Sequence, residues 1–395
     1  MKARALAAVL LAALLPLLPR GAAAQGKPVV VGAAVSQTGY LADLGAGLRN
    51  GLLLWQEQVN AAGGLLGRQV ELTLSDDASD TQRSTPLYEL LIKDDSAEVL
   101  IGPLGSAATS MAAAVAERGR RVLINASGVS PAIHKRLFRY VFQVPTPSDT
   151  TASGVPPFAA KHGIKSLMVV ARDAGAAAPL LEQIKIGAAG KGVDLRPTEY
   201  YVADATGGLA AFAARLKASG ADAVVTPANA RDTADLVRGF KAAGFAPKLF
   251  VAHGAVEPEF IKRVGMDAEY AAAFSVYEPL AATPGNAAFV NAYRAKYKSP
   301  PAFHAACGWA AGKVLEAGVA KAGSLDQEAL RAAFAALETD TLFGAYKVTP
   351  DGAQVAARPF LVQILKGRRE VIWPEEYRSA APVVPMPEWA RRAPK

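Results

Sequence analysis

The chain has a single cysteine, Cys307, in 395 residues. One thiol closes no intrachain disulfide, so the fold must be held by packing. Histidine is almost as scarce: His134, His162, His253 and His304 are the four. None stands in an H-x-x-x-H or H-E-x-x-H pattern, which removes zinc hydrolysis of that kind. No G-x-S-x-G elbow presents a serine nucleophile, and no Walker loop awaits a nucleotide phosphate. Gly45, Gly47 and Gly51 come nearest to a dinucleotide fingerprint, but their spacing is wrong and they lie inside an amphipathic helical pattern. Asp76, Asp77 and Asp80 lack the ligand count and rigid spacing of a calcium loop. At a strand end and a helix start, such carboxylates cap backbone N–H groups. Cys307 itself, among small residues and beside Trp309, reads as a packed core thiol. The expectation is a chain with no catalytic constellation, no cofactor and no metal.

A strong charge of one sign is also missing. The net charge is +8, or +5 once Lys2, Arg4 and Arg20 are set aside. Apart from Arg368-Arg369 and the last residues, the basic side chains are dispersed and carry no interleaved aromatics. This is a solvated surface rather than a nucleic-acid face. Long apolar runs are absent except at the start. There Lys2 and Arg4 precede an apolar stretch at 5–18, followed by Ala22-Ala23-Ala24. Charge, short apolar core and small residues in that order make an export signal, with cleavage expected after Ala24. The run is short of the roughly 20 residues of a membrane span. No cysteine follows the cleavage site to carry a lipid, so a soluble mature protein is expected.

What the sequence does have is alternation. Val29-Val30-Val31 opens as a buried strand, and Leu44, Leu48, Leu52, Trp55 and Val59 then recur at helical spacing. Gly63-Gly64 stops that helix. Strands follow at 70–74, 99–101 and 122–124, with helices between them. Pro145 and Pro147 interrupt the pattern, and it begins again: strands at 167–170, 223–226 and 249–251, helices around 180–189, 209–216 and 236–240. Two successive β-α-β-α blocks each imply a parallel sheet with helices on both faces. Beyond Tyr277 the pattern is mostly helical, at 286–297, 302–320 and 327–337, with a late strand at 360–365. About 370 residues and 51% apolar content suit two cores.

Small polar residues gather where strands end. Gly102-Pro-Leu-Gly105-Ser106-Ala107 opens a helix after the third strand, and Asn125-Ala-Ser127-Gly128-Val129-Ser130 follows the fourth. In an open α/β sheet the ligand crevice lies outside the carboxyl ends of the strands. A helix N-terminus there, with hydroxyls from Ser106 and Ser127, offers donors for a carboxylate or other electron-rich group.

Several of these segments resemble the leucine/isoleucine/valine-type solute-binding proteins of ABC importers. The most specific is Val59-Asn-Ala-Ala-Gly-Gly-Leu-Leu-Gly-Arg68. Gly32-Ala-Ala-Val-Ser-Gln-Thr-Gly39, Asp76-Asp-Ala-Ser-Asp80, Ile101-Gly-Pro103, Tyr140-Val-Phe142 and Phe289-Val-Asn-Ala-Tyr-Arg294 are similar in order and spacing. The resemblance implies an α/β, type I periplasmic-binding fold: two doubly wound parallel-sheet lobes joined by a three-stranded hinge. It places 27–144 and 277–345 in lobe 1, 145–276 and 346–378 in lobe 2, and 379–395 in a C-terminal tail. The chain would cross between lobes near Pro145, near Tyr277 and near Tyr346. It also implies a small-molecule ligand in the cleft, hinge closure, a monomer, and the membrane permease of an importer as partner.

The family's site residues carry over in part. Its serine at the start of the third-strand helix falls on Ser106, with Ala107 beside it. Its next loop falls on Gly128-Val129-Ser130-Pro131, next to Ser127; Val129 keeps a backbone N–H but not the family's threonine hydroxyl. In the second lobe a common tyrosine is replaced near Ala176, another aromatic position is Asn229, and the second crossing brings Tyr277. The acidic residue that amino-acid binders use for the ligand ammonium corresponds to His253. A buried, unpaired ammonium costs several kcal/mol, and a neutral histidine does not replace the carboxylate. It suits a carboxylate, carbonyl or hydroxyl instead. The expected ligand is therefore a small, possibly aromatic, carboxylate or an amide. A standard branched-chain amino acid binder and a ligand-sensing receptor module of the same fold are the alternatives. A secreted hydrolase would need a nucleophile and base that the sequence does not supply.

Overall fold

The computed structural model describes residues 26–203 and 208–392. The expected signal segment, 1–24, lies outside the described residues, as do the last three residues of the expected tail. Among the described residues no helix is long and apolar enough to cross a membrane.

The first block runs β1 (Val29–Val35), α1 (Ala42–Ala61), β2 (Val70–Asp76), α2 (Ser84–Lys93), β3 (Val99–Ile101), α3 (Ser106–Arg118), β4 (Leu123–Asn125) and β5 (Val141–Gln143). Its five strands are all parallel, in the order β2-β1-β3-β4-β5. Their near-continuous apolar text follows from burial on both faces. The second block runs α4 (Val155–Lys161), β6 (Ser166–Ala171), α5 (Ala174–Ala188), β7 (Asp194–Leu195), β8 (Glu199–Tyr200), α6 (Ala210–Ser219), β9 (Ala223–Thr226), α7 (Ala230–Ala242), β10 (Leu249–Ala252), α8 (Pro258–Val264) and β11 (Ala272–Ser275). Its sheet order, β7-β6-β9-β10-β11, repeats that of the first block. In each sheet the order reverses between the first and third strands, β1/β3 and β6/β9, and such a switch point opens a crevice at the carboxyl ends.

The rest of the chain returns to these two bodies. Helices α9 (Asn286–Tyr297), α10 (Phe303–Ala322) and α11 (Gln327–Ala335) add Phe289, Ala306, Val314 and Phe334 to the core of the first sheet. Helix α10 lies against α1 almost backbone to backbone. A Cβ on Gly51 would stand 2.1 Å from the Ala305 carbonyl oxygen, and one on Gly308 would stand 2.3 Å from that of Leu48. Of the glycines that resembled a nucleotide fingerprint, Gly51 thus serves close helix packing, while Gly45 makes room for the Ser36 carbonyl, 1.9 Å from where a Cβ would stand. A short hairpin, β12 (Thr339–Thr341) and β13 (Gly344–Tyr346), follows. Then β14 (Phe360–Leu365) and β15 (Arg368–Trp373) join the second sheet beside β11, antiparallel, so that sheet is mixed rather than purely parallel.

The third crossing comes later than Tyr346. Tyr346, Val348 and Ala357 all belong to the first core, and Phe360 is the first residue of the second. The cause is a loop folded back on β5: the Gln143 N–H donates to the Gly352 carbonyl at 2.9 Å. The tail is tied down over its described residues, 379–392. The Trp389 indole donates to the Phe245 carbonyl at 2.7 Å, and Met386 is buried in the second core.

Candidate functional site

The carboxyl ends of the two sheets face each other across an open cavity of about 270 Å³. Val129, after β4, and Phe303, opening α10, come from the first lobe. His253 and Val256, after β10, and Phe274 and Val276, at the end of β11, come from the second. Thr146, Ser148 and Thr151 come from the first crossing between them. The His253 ring lies 5.5 Å from that of Phe274, and among the described residues its nitrogens have no hydrogen-bond partner. Thr146 is 1% exposed and its hydroxyl is likewise unpartnered. The Ser148 N–H donates to the Val129 carbonyl at 2.8 Å, pinning the crossing to the first lobe. None of these nine lining residues is acidic. Glu278 is buried nearby in sequence, but it pairs with Arg369 at 3.5 Å and lines no part of this cavity. Burial pushes its carboxyl up, with Arg369 opposing.

A family model described as "periplasmic binding protein" matches residues 28–369, most of the chain. The chain belongs to that family. A curated relative, the leucine-, isoleucine-, valine-, threonine- and alanine-binding protein of Pseudomonas aeruginosa, is 24% identical over 78% of this chain and 82% of its own. An ABC transporter substrate-binding protein from Desulfitobacterium hafniense, in complex with Leu, superposes with a TM-score of 0.68 at 20% identity, over 88% of this chain and all of that one. An ABC transporter solute-binding protein from R. palustris, in complex with benzoate, does so with a TM-score of 0.62 at 21% identity, covering 91% and 99%.

In this binding protein the sequence-predicted residues scatter into several roles. His253 and Val129 line the cavity. Ser106 stands at the first helical position of α3, and Gly105, at φ +83°, takes the cap position. The Ser106 hydroxyl oxygen accepts the N–H groups of Val129 at 3.2 Å and Ser130 at 3.1 Å. The Val129 N–H is therefore already engaged, while the Ser106 proton is left to donate. The Ser127 hydroxyl is engaged within the fold. Buried, it gives its proton to the Pro103 carbonyl and accepts from the Gly105 N–H, each at 2.9 Å, which braces one loop on the other. Gly128 is buried beneath the same loop and Ala107 is exposed; neither lines a cavity. Tyr277 points away from the cleft, its hydroxyl donating to Asn286 at 3.2 Å inside the first core. Asn229 caps α7, accepting the Asp232 N–H at 3.0 Å, and lines a second, smaller hollow. Thr146, Ser148, Thr151, Phe274, Val276 and Phe303 were not read from sequence. The doublet of prolines at 145 and 147 marked the crossing, and the hydroxyls around it were the available signal.

The three aspartates near β2 serve the backbone. Asp76 accepts from the N–H groups of Gln37, Thr38 and Ala78 and from the Thr38 hydroxyl. The Thr38 bond leads in holding its carboxyl down at about 2. Asp77 accepts the Ser79 N–H and Asp80 that of Gln82. Cys307 is fully buried, and burial pushes its thiol well up.

Proposed function

We propose that this protein is the non-catalytic, exported solute-binding component of an ABC importer, and that it captures a small carboxylate without an amino group, aromatic ones included. The observation that carries this reading is the chemistry of the interlobe cavity. Phe274, Phe303, Val129, Val256 and Val276 form apolar walls around His253 and three hydroxyl residues, with no acidic side chain among them. An ammonium entering this cavity would lose its water without gaining a counter-charge, at a cost of several kcal/mol. A carboxylate finds donors: the Thr146 hydroxyl and a His253 ring N–H. The leucine and benzoate complexes of structural neighbours support the fold as a host for either class of ligand; the missing acid favours the second. The charge and apolar run at 1–24 support export to the periplasm, and delivery to a membrane permease by a monomer is the partner reading. We divide the lobes as 27–144 with 277–357, and 145–276 with 358–378, the third crossing lying past Ala357.

A thermal-shift screen on the purified protein, unfolded and refolded to strip carried-over solute, tests this directly. Benzoate, aliphatic acids and small amides are set against leucine, isoleucine and valine. A ligand at about 100 times its Kd adds roughly 2.7 kcal/mol of stability. The acids are expected to raise Tm, and His253→Ala to reduce the rise. A shift with leucine alone would overturn the reading.

A further inference from the structure

The second hollow, about 210 Å³, is lined by Arg172 and Ala176 after β6, Pro227, Ala228 and Asn229 after β9, and Tyr201 and Asp232. It lies at the switch point of the second sheet, past the carboxyl ends of the paired strands β6 and β9, where the strand order reverses. It adjoins the interlobe cavity through one backbone contact. Gly254, next to His253, donates its N–H to the Ala228 carbonyl at 2.8 Å, and a Cβ there would stand 2.3 Å from the carbonyl carbon of Asn229. Among the described residues that line it, Arg172, Tyr201 and Asn229 carry donors, and the one carboxylate, Asp232, is already engaged. Asp232, 3% exposed, accepts Arg172 Nε at 2.5 Å and Nη2 at 2.7 Å, and the Tyr201 hydroxyl at 2.9 Å. That fixes a guanidinium whose side chain is 47% exposed and leaves its other N–H groups to face the hollow. Asn229 uses its carbonyl oxygen on Asp232 N–H, so its NH2 remains to donate. Behind it, the start of α7 brings the positive end of a helix dipole.

We propose that this hollow is a second subsite, and that the natural ligand is a ring acid whose far end carries a second oxygen function, a carboxylate or hydroxyl, read by Arg172 and Asn229. The inference rests on the reading of the cleft as a carboxylate site. His253 follows β10 and Arg172 follows β6, two strand spacings away, roughly 10 Å. A benzene ring with polar groups at opposite ends spans a gap of that order. Ala176 is small where a bulky side chain would fill the hollow, and Tyr201 positions Arg172 through Asp232.

The test compares benzene-1,4-dicarboxylate with benzoate by titration calorimetry on the refolded protein. The dicarboxylate is expected to bind at least about tenfold more tightly, as suits a charge-assisted pair. Arg172→Gln is expected to bring the ratio of the two affinities close to one. Ala176→Leu, at an exposed position on the first turn of α5, tests the same space without breaking the ion pair and is expected to lower the same ratio. Equal affinities in the wild type, or a ratio unmoved by both variants, overturns the subsite. If neither acid binds and leucine does, the reading of the cleft fails instead.

Discussion

Replacing Thr146 by valine is expected to move stability and binding in opposite directions. The hydroxyl is 1% exposed and has no partner among the described residues. Leaving such a group unsatisfied costs about 1–3 kcal/mol. Valine has nearly the same shape and no polar atom, so the ligand-free protein is expected to gain about 1 kcal/mol, or about 2–4 °C in Tm for a lobe of this size. Binding is expected to weaken, because a hydrogen bond to a charged carboxylate contributes about 1.5–3 kcal/mol, a loss of roughly 10- to 150-fold in Kd for benzoate. Thermal melts without ligand and calorimetry with it read the two effects separately. A variant that melts lower and binds benzoate unchanged would refute the reasoning, since the hydroxyl would then serve the fold and not the ligand.

Two further outcomes follow from particular contacts. Gly254→Ala places a methyl against the backbone of Asn229 and Ala230, at 2.3 and 2.4 Å, where no side chain can yield. Chemical denaturation is expected to show a loss of about 1–3 kcal/mol, with weaker benzoate binding as the His253 loop shifts. Asp76 has a carboxyl held at about 2 against an ordinary 3.8. A depressed carboxyl stabilises the fold above its unfolded value and loses that contribution as pH falls through its folded one. Asp76→Asn is thus expected to lower Tm at neutral pH, with the difference from wild type closing between about pH 4 and pH 2.

The fold was largely legible because periods of 2 and 3.6 survive wherever a strand or helix is buried. What was missed is short or charged. β15 begins Arg368-Arg369-Glu370, which reads as surface text, yet Glu370, Val371 and Ile372 are buried in succession in the strand paired with β14. The β12–β13 hairpin has three residues per strand, too few to show a period. At the site, His253 and Val129 were read from the resemblance, and both line the interlobe cavity, one residue past β10 and four past β4. Tyr277 was misplaced by one residue. Val276 faces the cavity, and a neighbour in extended chain faces the other way, into the first core. Phe274 and Phe303 meet across the cleft from distant parts of the chain, a proximity no local pattern encodes. Arg172 and Asp232 are sixty residues apart in sequence. Only the parallel pairing of β6 with β9 brings them together.

The most direct measurement of the central claim uses a matched pair: leucine and 4-methylpentanoate, the same skeleton without the amino group, titrated into the refolded protein by calorimetry. The account predicts that the acid binds about a hundredfold or more tightly than leucine, because the cavity offers donors for the carboxylate and no counter-charge for the ammonium. Leucine binding as tightly as the acid, or more so, would contradict it.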